Sequence, residues 1–168
     1  MLKKLSIALL STCMMGAAFA GSAFSDGQMC GGCRMIVKNY PGPKGVIVKT
    51  DGKTLTYCST RCFACNVARM KSDSMQATDI QSVLVQDASL IDWNQPHATQ
   101  DHLIDARTAW FVYGSSKTAV MGRSLAPFAD KAKAQAFARQ FGGTIHTYEE
   151  LTPQLLGCKK RASPPSAR

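Results

Sequence analysis

Sulfur-bearing side chains are the residues of this sequence best suited to chemistry. The 168-residue chain has seven cysteines and eight methionines but only three histidines. Five of the cysteines form two compact motifs, CxxC at Cys30 and Cys33 and CxxxCxxC at Cys58, Cys62 and Cys65. Thiolates and thioethers are soft donors, suited to metal binding, redox chemistry or disulfides. No nucleophile elbow, phosphate-binding loop or His–Asp pairing accompanies them, so we expect a binding protein and not an enzyme.

Cys33 and Met35 form the first candidate metal-binding pair. Alternate residues of an extended strand face the same side, so a strand here would present a thiolate and a thioether together. Such a soft pair selects Cu(I) over harder ions. The alternative is that Met35 only fills the core. Met121, which ends a predicted strand and precedes a glycine, poses the same choice.

Two other interpretations of the CxxC motif remain open. Cys30, Cys33, Cys62 and Cys65 could close a tetrahedral zinc site in a small interaction domain. A thiol–disulfide oxidoreductase would use Cys30 and Cys33, although Pro41 leaves little room for the helix that such a pair usually begins. Arginine follows the second cysteine where a c-type haem site would need histidine, so haem attachment is excluded.

The first 20 residues have the pattern of a secretory signal. A basic start precedes an apolar stretch and a small-residue cleavage site before Gly21. The apolar stretch of about 15 residues is shorter than the roughly 20 needed to cross a bilayer. We therefore expect an exported, periplasmic protein, in which the threonine before Cys13 disfavours a lipid tether. The basic residues behind the net charge of +9 are dispersed, so we expect no nucleic-acid partner.

Two similar runs of predicted elements position these residues. In the first run, β-prone segments flank the Asp51-Gly52 turn, and a helix runs from Ser59 or Thr60 to about Met70 before a strand at 80–86. In the second run, strands at 109–113 and 118–121 flank a turn, and a helix from about 127 to 141, capped by Ser124, precedes a strand at 144–148.

The sequence therefore predicts an α+β fold of two small ββαβ units packed together. The first unit, which holds the cysteine motifs, spans residues 21–92, and the second spans 106–152. Residues 93–105 are predicted to form a linker. The basic, Pro- and Ser-rich residues at 153–168 have the composition of a disordered tail.

Six segments, taken in order, resemble the NosL family, whose members are exported copper chaperones that assist maturation of nitrous oxide reductase. They are Cys30-Gly-Gly-Cys33-Arg-Met35-Ile, Asn39-Tyr-Pro-Gly-Pro-Lys44, Tyr57-Cys-Ser-Thr-Arg61, Ile104-Asp-Ala-Arg-Thr-Ala-Trp110, Val112-Tyr-Gly-Ser115 and Ala119-Val-Met-Gly122. The likeness covers residues 28 to about 150. It rests on the order and spacing of the segments and not on any single motif.

The resemblance implies an accessory fold similar to that of organomercurial lyase and a Cu(I) site formed by Cys33, Met35 and Met121. We keep Cys30 and Cys58 as further candidate ligands. The resemblance also implies docking to a membrane-associated copper transporter complex and to the nitrous oxide reductase maturation machinery. Two features depart from the family: Cys13 lies in a poor lipoprotein motif, and the chain carries three additional thiols, at Cys62, Cys65 and Cys158.

Overall fold

Two antiparallel β-sheets organise the chain in the computed structural model, which describes residues 22–72, 79–120 and 122–158. The first sheet has the strand order β2-β1-β3-β4, with β1 at Gly45–Lys49, β2 at Thr54–Tyr57, β3 at Ile80–Gln86 and β4 at Leu103–Asp105. The second has the order β6-β5-β7, with β5 at Trp110–Ala119, β6 at Gly122–Phe128 and β7 at Thr144–His146. The α-helices are α1 at Thr60–Ser72, α2 at Lys131–Phe141 and the short α3 at Pro153–Leu156, and a 3-10 helix spans Val37–Asn39.

The two sheets share one connectivity. In each, a hairpin is followed by a helix, and the strand after the helix pairs antiparallel with the first strand of the hairpin. This arrangement gives the orders β2-β1-β3 and β6-β5-β7. The prediction of an α+β fold built from two ββαβ units is therefore confirmed.

The first unit forms as its sequence predicts. Gly52 has a φ of 80°, a conformation that glycine adopts at little cost, at the turn between β1 and β2. The spacing of Phe63, Val67 and Met70 places all three on the buried face of α1. Their side chains belong to a hydrophobic core that also includes residues of the second unit. The core thus fixes α1, which carries Cys62 and Cys65 and begins two residues after Cys58, against both sheets.

The second unit differs locally from the prediction. The predicted turn after Tyr113 lies inside the long strand β5, where Gly114 has a φ of 81° and the register with β6 shifts. A glycine in this conformation accommodates a β-bulge without ending the strand. Ser124 lies buried within β6 and does not cap a helix; Asp130 caps α2 by accepting a hydrogen bond from the backbone N–H of Ala132.

Two predicted irregular segments contain regular structure. Strand β4 occupies the end of the predicted linker and pairs with β3. Helix α3 occupies the start of the predicted disordered tail, where Leu156 is fully buried and Cys158 forms a disulfide with Cys65. Apolar anchoring and the cross-link therefore order residues 153–158. The predicted signal at 1–20, Met121 and the remaining tail lie outside the described residues.

Among the helices of residues 22–72, 79–120 and 122–158, none combines the length and apolar character needed to span a membrane.

Candidate metal centre

Four free thiols meet where the CxxC segment approaches the start of α1. The Sγ atoms of Cys30, Cys33, Cys58 and Cys62 all lie within 4.8 Å of one another. Two pairs are in contact, with Sγ–Sγ distances of 3.5 Å for Cys30 and Cys62 and 3.3 Å for Cys33 and Cys58. Cys30 and Cys58 are buried, whereas Cys33 and Cys62 are partly exposed. The four-thiol cluster is therefore anchored in the core and reachable from solvent.

A tight loop, and not a strand, presents the CxxC motif. Met29 and Ile36 form an isolated antiparallel bridge, and the backbone N–H of Cys30 donates to the carbonyl of Met35 at 2.8 Å. Between them the chain reverses, and Arg34 has a φ of 68°. The expectation that Cys33 and Met35 lie on one side of an extended strand is wrong, because the Gly-Gly pair turns the chain back on itself. Met35 is partly buried and packs against the main core.

Gly32 allows this loop to approach α1 closely. A Cβ atom at position 32 would lie 2.7 Å from the Sγ of Cys62 and would also collide with the side-chain amide of Asn66. The side-chain amide of Asn66 itself donates to the carbonyl of Cys62 at 2.8 Å and lies 3.8 Å from its sulfur. The absence of a side chain at Gly32 therefore leaves the space that the Cys62 side chain needs beside the loop.

The start of α1 is held firmly beneath the thiols. Ser59 accepts a hydrogen bond from the backbone N–H of Cys62 at 3.1 Å, which caps the helix as predicted. Thr60 donates from both its backbone N–H and its hydroxyl to the carbonyl of Pro43, each at 3.0 Å. Cys58 precedes the first turn of α1 and Cys62 lies within it, near the positive end of the helix dipole, which favours negative charge.

The electrostatics of the cluster favour one thiolate shared among neighbouring thiols. Hydrogen bonds from Cys58 and then Cys62 hold the pKa of Cys30 well below its ordinary value. The same contact with Cys30 raises the pKa of Cys58 and raises the pKa of Cys62 to about 12. Cys58 and Cys62 are therefore protonated at neutral pH and would have to lose their protons to bind a metal ion.

A buried ammonium group lies in the electrostatic range of these thiols. Lys44 is fully buried, and its Nζ donates to the carbonyls of Tyr40, Pro41 and Gly42 at 2.6, 3.2 and 2.9 Å. Burial lowers the pKa of Lys44 to about 8, whereas Cys58 and Cys30 oppose that shift. The side chain is therefore still charged at pH 7 and offsets negative charge on the cluster.

The structure replaces one member of the predicted zinc set. Cys65 is bonded to Cys158, with Cα atoms 5.6 Å apart, so it has no free thiol to offer a metal ion. Cys58 takes its place beside Cys30, Cys33 and Cys62. Positions 62 and 65 lie near one another on α1, yet one turns to the CxxC loop and the other to the C-terminal segment, so the predicted set of Cys30, Cys33, Cys62 and Cys65 is wrong.

The other predicted site residues fall into three groups. Cys30, Cys33 and Cys58 come together as expected for neighbouring ligands, Met35 packs against the core nearby, and Met121 lies outside the described residues. Cys62 was missing from the predicted copper set. Its spacing of four residues from Cys58 is compatible with one shared face, but Cys65, seven residues from Cys58, has the same signal.

Within the CxxC motif, each sulfur contacts a cysteine of the other motif. Cys30 contacts Cys62 and Cys33 contacts Cys58, and the residues that follow form a 3-10 helix of three residues. A redox pair of the predicted kind would lie at the start of an α-helix. The local structure therefore differs from the one that the oxidoreductase interpretation requires.

The sulfur geometry suits a soft metal ion. Zn–S bonds of about 2.3 Å in a tetrahedral site place the sulfurs about 3.8 Å apart, within the range of separations in the cluster. Thiolate ligands select Cu(I), Zn(II) or iron–sulfur clusters over Mg(II) and Ca(II). The donor set thus fits Cu(I) or Zn(II) with only small movements of the side chains.

The two ββαβ units and the four-thiol cluster together define a small α+β protein with a candidate site for a soft metal ion. The NosL family model matches residues 21–156, and the chain belongs to the NosL family. It is 35% identical over 134 residues to the copper-binding lipoprotein NosL of Stutzerimonas stutzeri, covering 80% of this chain and 67% of that protein. The crystal structure of the copper chaperone NosL from Shewanella denitrificans matches with a TM-score of 0.71 and 34% identity, covering 80% of this chain and 96% of that one. The family prediction is therefore confirmed.

Proposed function

We propose that this protein is a Cu(I) metallochaperone that assists assembly of the copper centre of nitrous oxide reductase. The observation that carries the proposal is the cluster of four free thiols, whose sulfurs lie within 4.8 Å of one another. Thiolates are the protein ligands that best match Cu(I). The names of the two relatives, a copper-binding lipoprotein and a copper chaperone, support copper as the cargo.

In this proposal Cys33, Met35 and Met121 are the principal ligands, and the cluster adds Cys30 and Cys58. Cys33 is partly exposed, so a thiol or thioether of a partner protein can reach a metal ion bound there. Two or three sulfur ligands leave the coordination shell of Cu(I) open to an incoming donor. Copper would then pass to the partner by ligand exchange, without release of the free ion.

The proposed partners and location follow from the same role. The protein would be exported to the periplasm and dock to a membrane-associated copper transporter complex, which passes copper towards the maturing reductase. The lipoprotein named among the relatives supports an envelope location. Since metal transfer by ligand exchange breaks no covalent bond of a substrate, the proposed role requires no catalysis.

Zinc binding is the second candidate, because four thiols at these separations also suit a tetrahedral Zn(II) site. A zinc site formed by four cysteines does not use the methionines. Copper binding through Met35 and Met121 does use them. Dependence on the thioethers therefore separates the two functions.

The test is an anaerobic competition between the reduced protein and a chromogenic Cu(I) chelator. We expect Met35→Leu and Met121→Leu each to weaken Cu(I) binding by at least about tenfold, equivalent to about 1.4 kcal/mol. Cys33→Ser should weaken it further, because it removes a thiolate. Met29→Leu is the matched control: Met29 belongs to the same loop but is 52% exposed, and its loss should leave the affinity unchanged.

Wild-type affinity in both methionine variants would show that the ligand assignment is wrong. Wild-type affinity in Cys33→Ser as well would exclude the cluster as the copper site. One tightly bound Zn(II) that survives loss of both methionines, with no uptake of Cu(I), would favour the zinc function instead.

A further inference from the structure

The cluster contains more thiols than the transfer of one Cu(I) ion requires. Two or three sulfurs suffice for a site that exchanges its ligand, yet four free cysteines converge here. They are arranged as two contacting pairs, Cys30 with Cys62 and Cys33 with Cys58. A pair of thiols in contact holds two electrons, which it can release by forming a disulfide.

We propose that the cluster reduces Cu(II), with Cys30 and Cys62 supplying the electrons and Cys33 and Cys58 retaining a resulting Cu(I) ion. Cys30 then acts as a ligand only for copper that arrives as Cu(I). This inference rests on the proposed function, since it assumes that copper is the cargo. It adds an activity to that function: the protein accepts the oxidised form of the metal ion and converts it to the form that its own thiols bind.

One cysteine pair reduces two Cu(II) ions, because forming a disulfide releases two electrons and each Cu(II) accepts one. Each sulfur of Cys30 and Cys62 gives up one electron, and any proton that it still carries passes to solvent. A single S–S bond forms, and two Cu(II) ions become two Cu(I) ions. Cys33 and Cys58 retain one of these ions, and the second leaves the protein. Cu(II) is the only oxidant that the step needs, and it is the substrate.

The sulfurs of the electron-donating pair already lie near the distance of a disulfide bond. The sulfurs of Cys30 and Cys62 lie 3.5 Å apart, and a disulfide brings two sulfurs to about 2.05 Å. The required movement of about 1.5 Å is within reach of side-chain rotation, since Cys62 is partly exposed. Gly32 leaves the space in which Cys62 meets the loop, because a Cβ there would lie 2.7 Å from its sulfur.

The other pair is the better one to retain Cu(I). Cys33 precedes Met35 by two residues, and both side chains pack against the same core cluster. Its partner Cys58 is buried, which shields a bound ion from oxidants. Oxidation of Cys30 and Cys62 thus leaves two thiols in contact, at 3.3 Å, beside a thioether-bearing segment.

The test adds two equivalents of Cu(II) to reduced protein that is free of oxygen and of external reductant. We expect the Cu(II) electron paramagnetic resonance signal to disappear, the count of free thiols to fall by two, and peptide mapping to find a disulfide between Cys30 and Cys62. Cu(I) should remain on the protein after desalting. A persistent Cu(II) signal with all four thiols intact, or a disulfide between Cys33 and Cys58, would overturn the inference.

A parallel titration with Cu(I) keeps this inference separate from the proposed function. Binding of Cu(I) without reduction of Cu(II) would overturn the reductase activity and leave the chaperone function standing. Failure to bind Cu(I) at all would overturn the chaperone function, and with it the retention of copper that the inference requires.

Two variants test which thiol pair donates the electrons and which pair retains Cu(I). Cys62→Ser can reduce Cu(II) only by consuming another pair of cluster thiols, so it should retain less than about a tenth of the copper that the wild type holds after desalting. Gly32→Ala keeps all four thiols but displaces the sulfur of Cys62, so it should slow the loss of the Cu(II) signal. Wild-type behaviour in both variants would contradict the assignment of Cys30 and Cys62 as the electron donors.

Discussion

The disulfide between Cys65 and Cys158 should stabilise the protein mainly by restricting the conformations of the unfolded chain. The bond joins residues 93 positions apart, from α1 to the end of the described C-terminal segment. Closing a loop of that length lowers the entropy of the unfolded state by an amount worth about 4.6 kcal/mol at 25 °C in the chain-entropy treatment. Removing the bond in a Cys65→Ala and Cys158→Ala double variant restores that entropy.

The folded state should tolerate this change, because other contacts also hold α3 in place. Arg61 donates to the carbonyls of Leu156 and Gly157 at 2.8 and 3.1 Å, and Leu156 is fully buried. The C-terminal segment should therefore remain docked without the cross-link. Since native strain and residual structure usually reduce the effect, we expect the double variant to lose roughly 2–5 kcal/mol of unfolding free energy.

Urea unfolding, followed by far-UV circular dichroism, measures this loss. The control is the double variant with and without a phosphine reductant: its midpoint should not move, whereas the wild type should shift towards the variant when reduced. A loss below about 1 kcal/mol in the double variant would contradict this prediction, because it would mean that the cross-link does not appreciably restrict the unfolded chain.

Three further predictions concern packing, protons and buried charge. Gly45→Ala should lower the free energy of unfolding by about 1–3 kcal/mol in urea titrations, because the new Cβ would lie 2.6 Å from the Cβ of Phe63. Wild-type stability would contradict this close packing of Gly45 against Phe63. The raised pKa of Cys58 means that this thiol loses a proton when it binds Cu(I), so the affinity measured by chelator competition should fall about tenfold per pH unit for each proton released as the pH decreases. An affinity independent of pH would contradict this prediction. Lys44→Met should lower the free energy of unfolding by at least about 2 kcal/mol, because it leaves three buried carbonyls without their hydrogen-bond donor. An unchanged urea midpoint would contradict this prediction.

Much of the fold follows from local sequence signals. The Asp51-Gly52 turn, the apolar spacing on α1 and the order of the elements suffice to predict two ββαβ units. The details that escaped prediction depend on tertiary context. Gly114 carries a turn-like signal but makes a bulge within β5, because the strand continues to pair with β6 beyond it. Similarly, Leu156 orders a segment of tail-like composition because the core has room for its side chain.

The sequence predicts the chemistry of the candidate site but not which residues form it. The cysteine motifs alone indicate a soft-metal site, and three of its four thiols were among the predicted copper ligands. Which cysteine of α1 joins the cluster could not be read from spacing. Cys62 and Cys65 are both close to the face that carries Cys58, and the partner of Cys65 lies 93 residues away, where no local signal marks it.

The glycines of the CxxC loop show the same limit of sequence reasoning. A Gly-Gly pair is compatible with a strand, a turn or a helix start, so the motif did not reveal the reversal that places Cys33 opposite Cys58. Only the folded chain shows that Gly32 is needed for the loop to contact Cys62 and Asn66. Close approach between segments far apart in sequence is a tertiary property.

Metal competition is the strongest test of whether the four-thiol cluster carries copper as Cu(I). The reduced protein, kept free of oxygen, would be offered equal amounts of Cu(I) and Zn(II) and then desalted for elemental analysis. We expect about one equivalent of copper to stay bound, zinc to stay in solution, and the Cys33→Ser variant to lose the copper. Retention of one equivalent of zinc with no copper would contradict it.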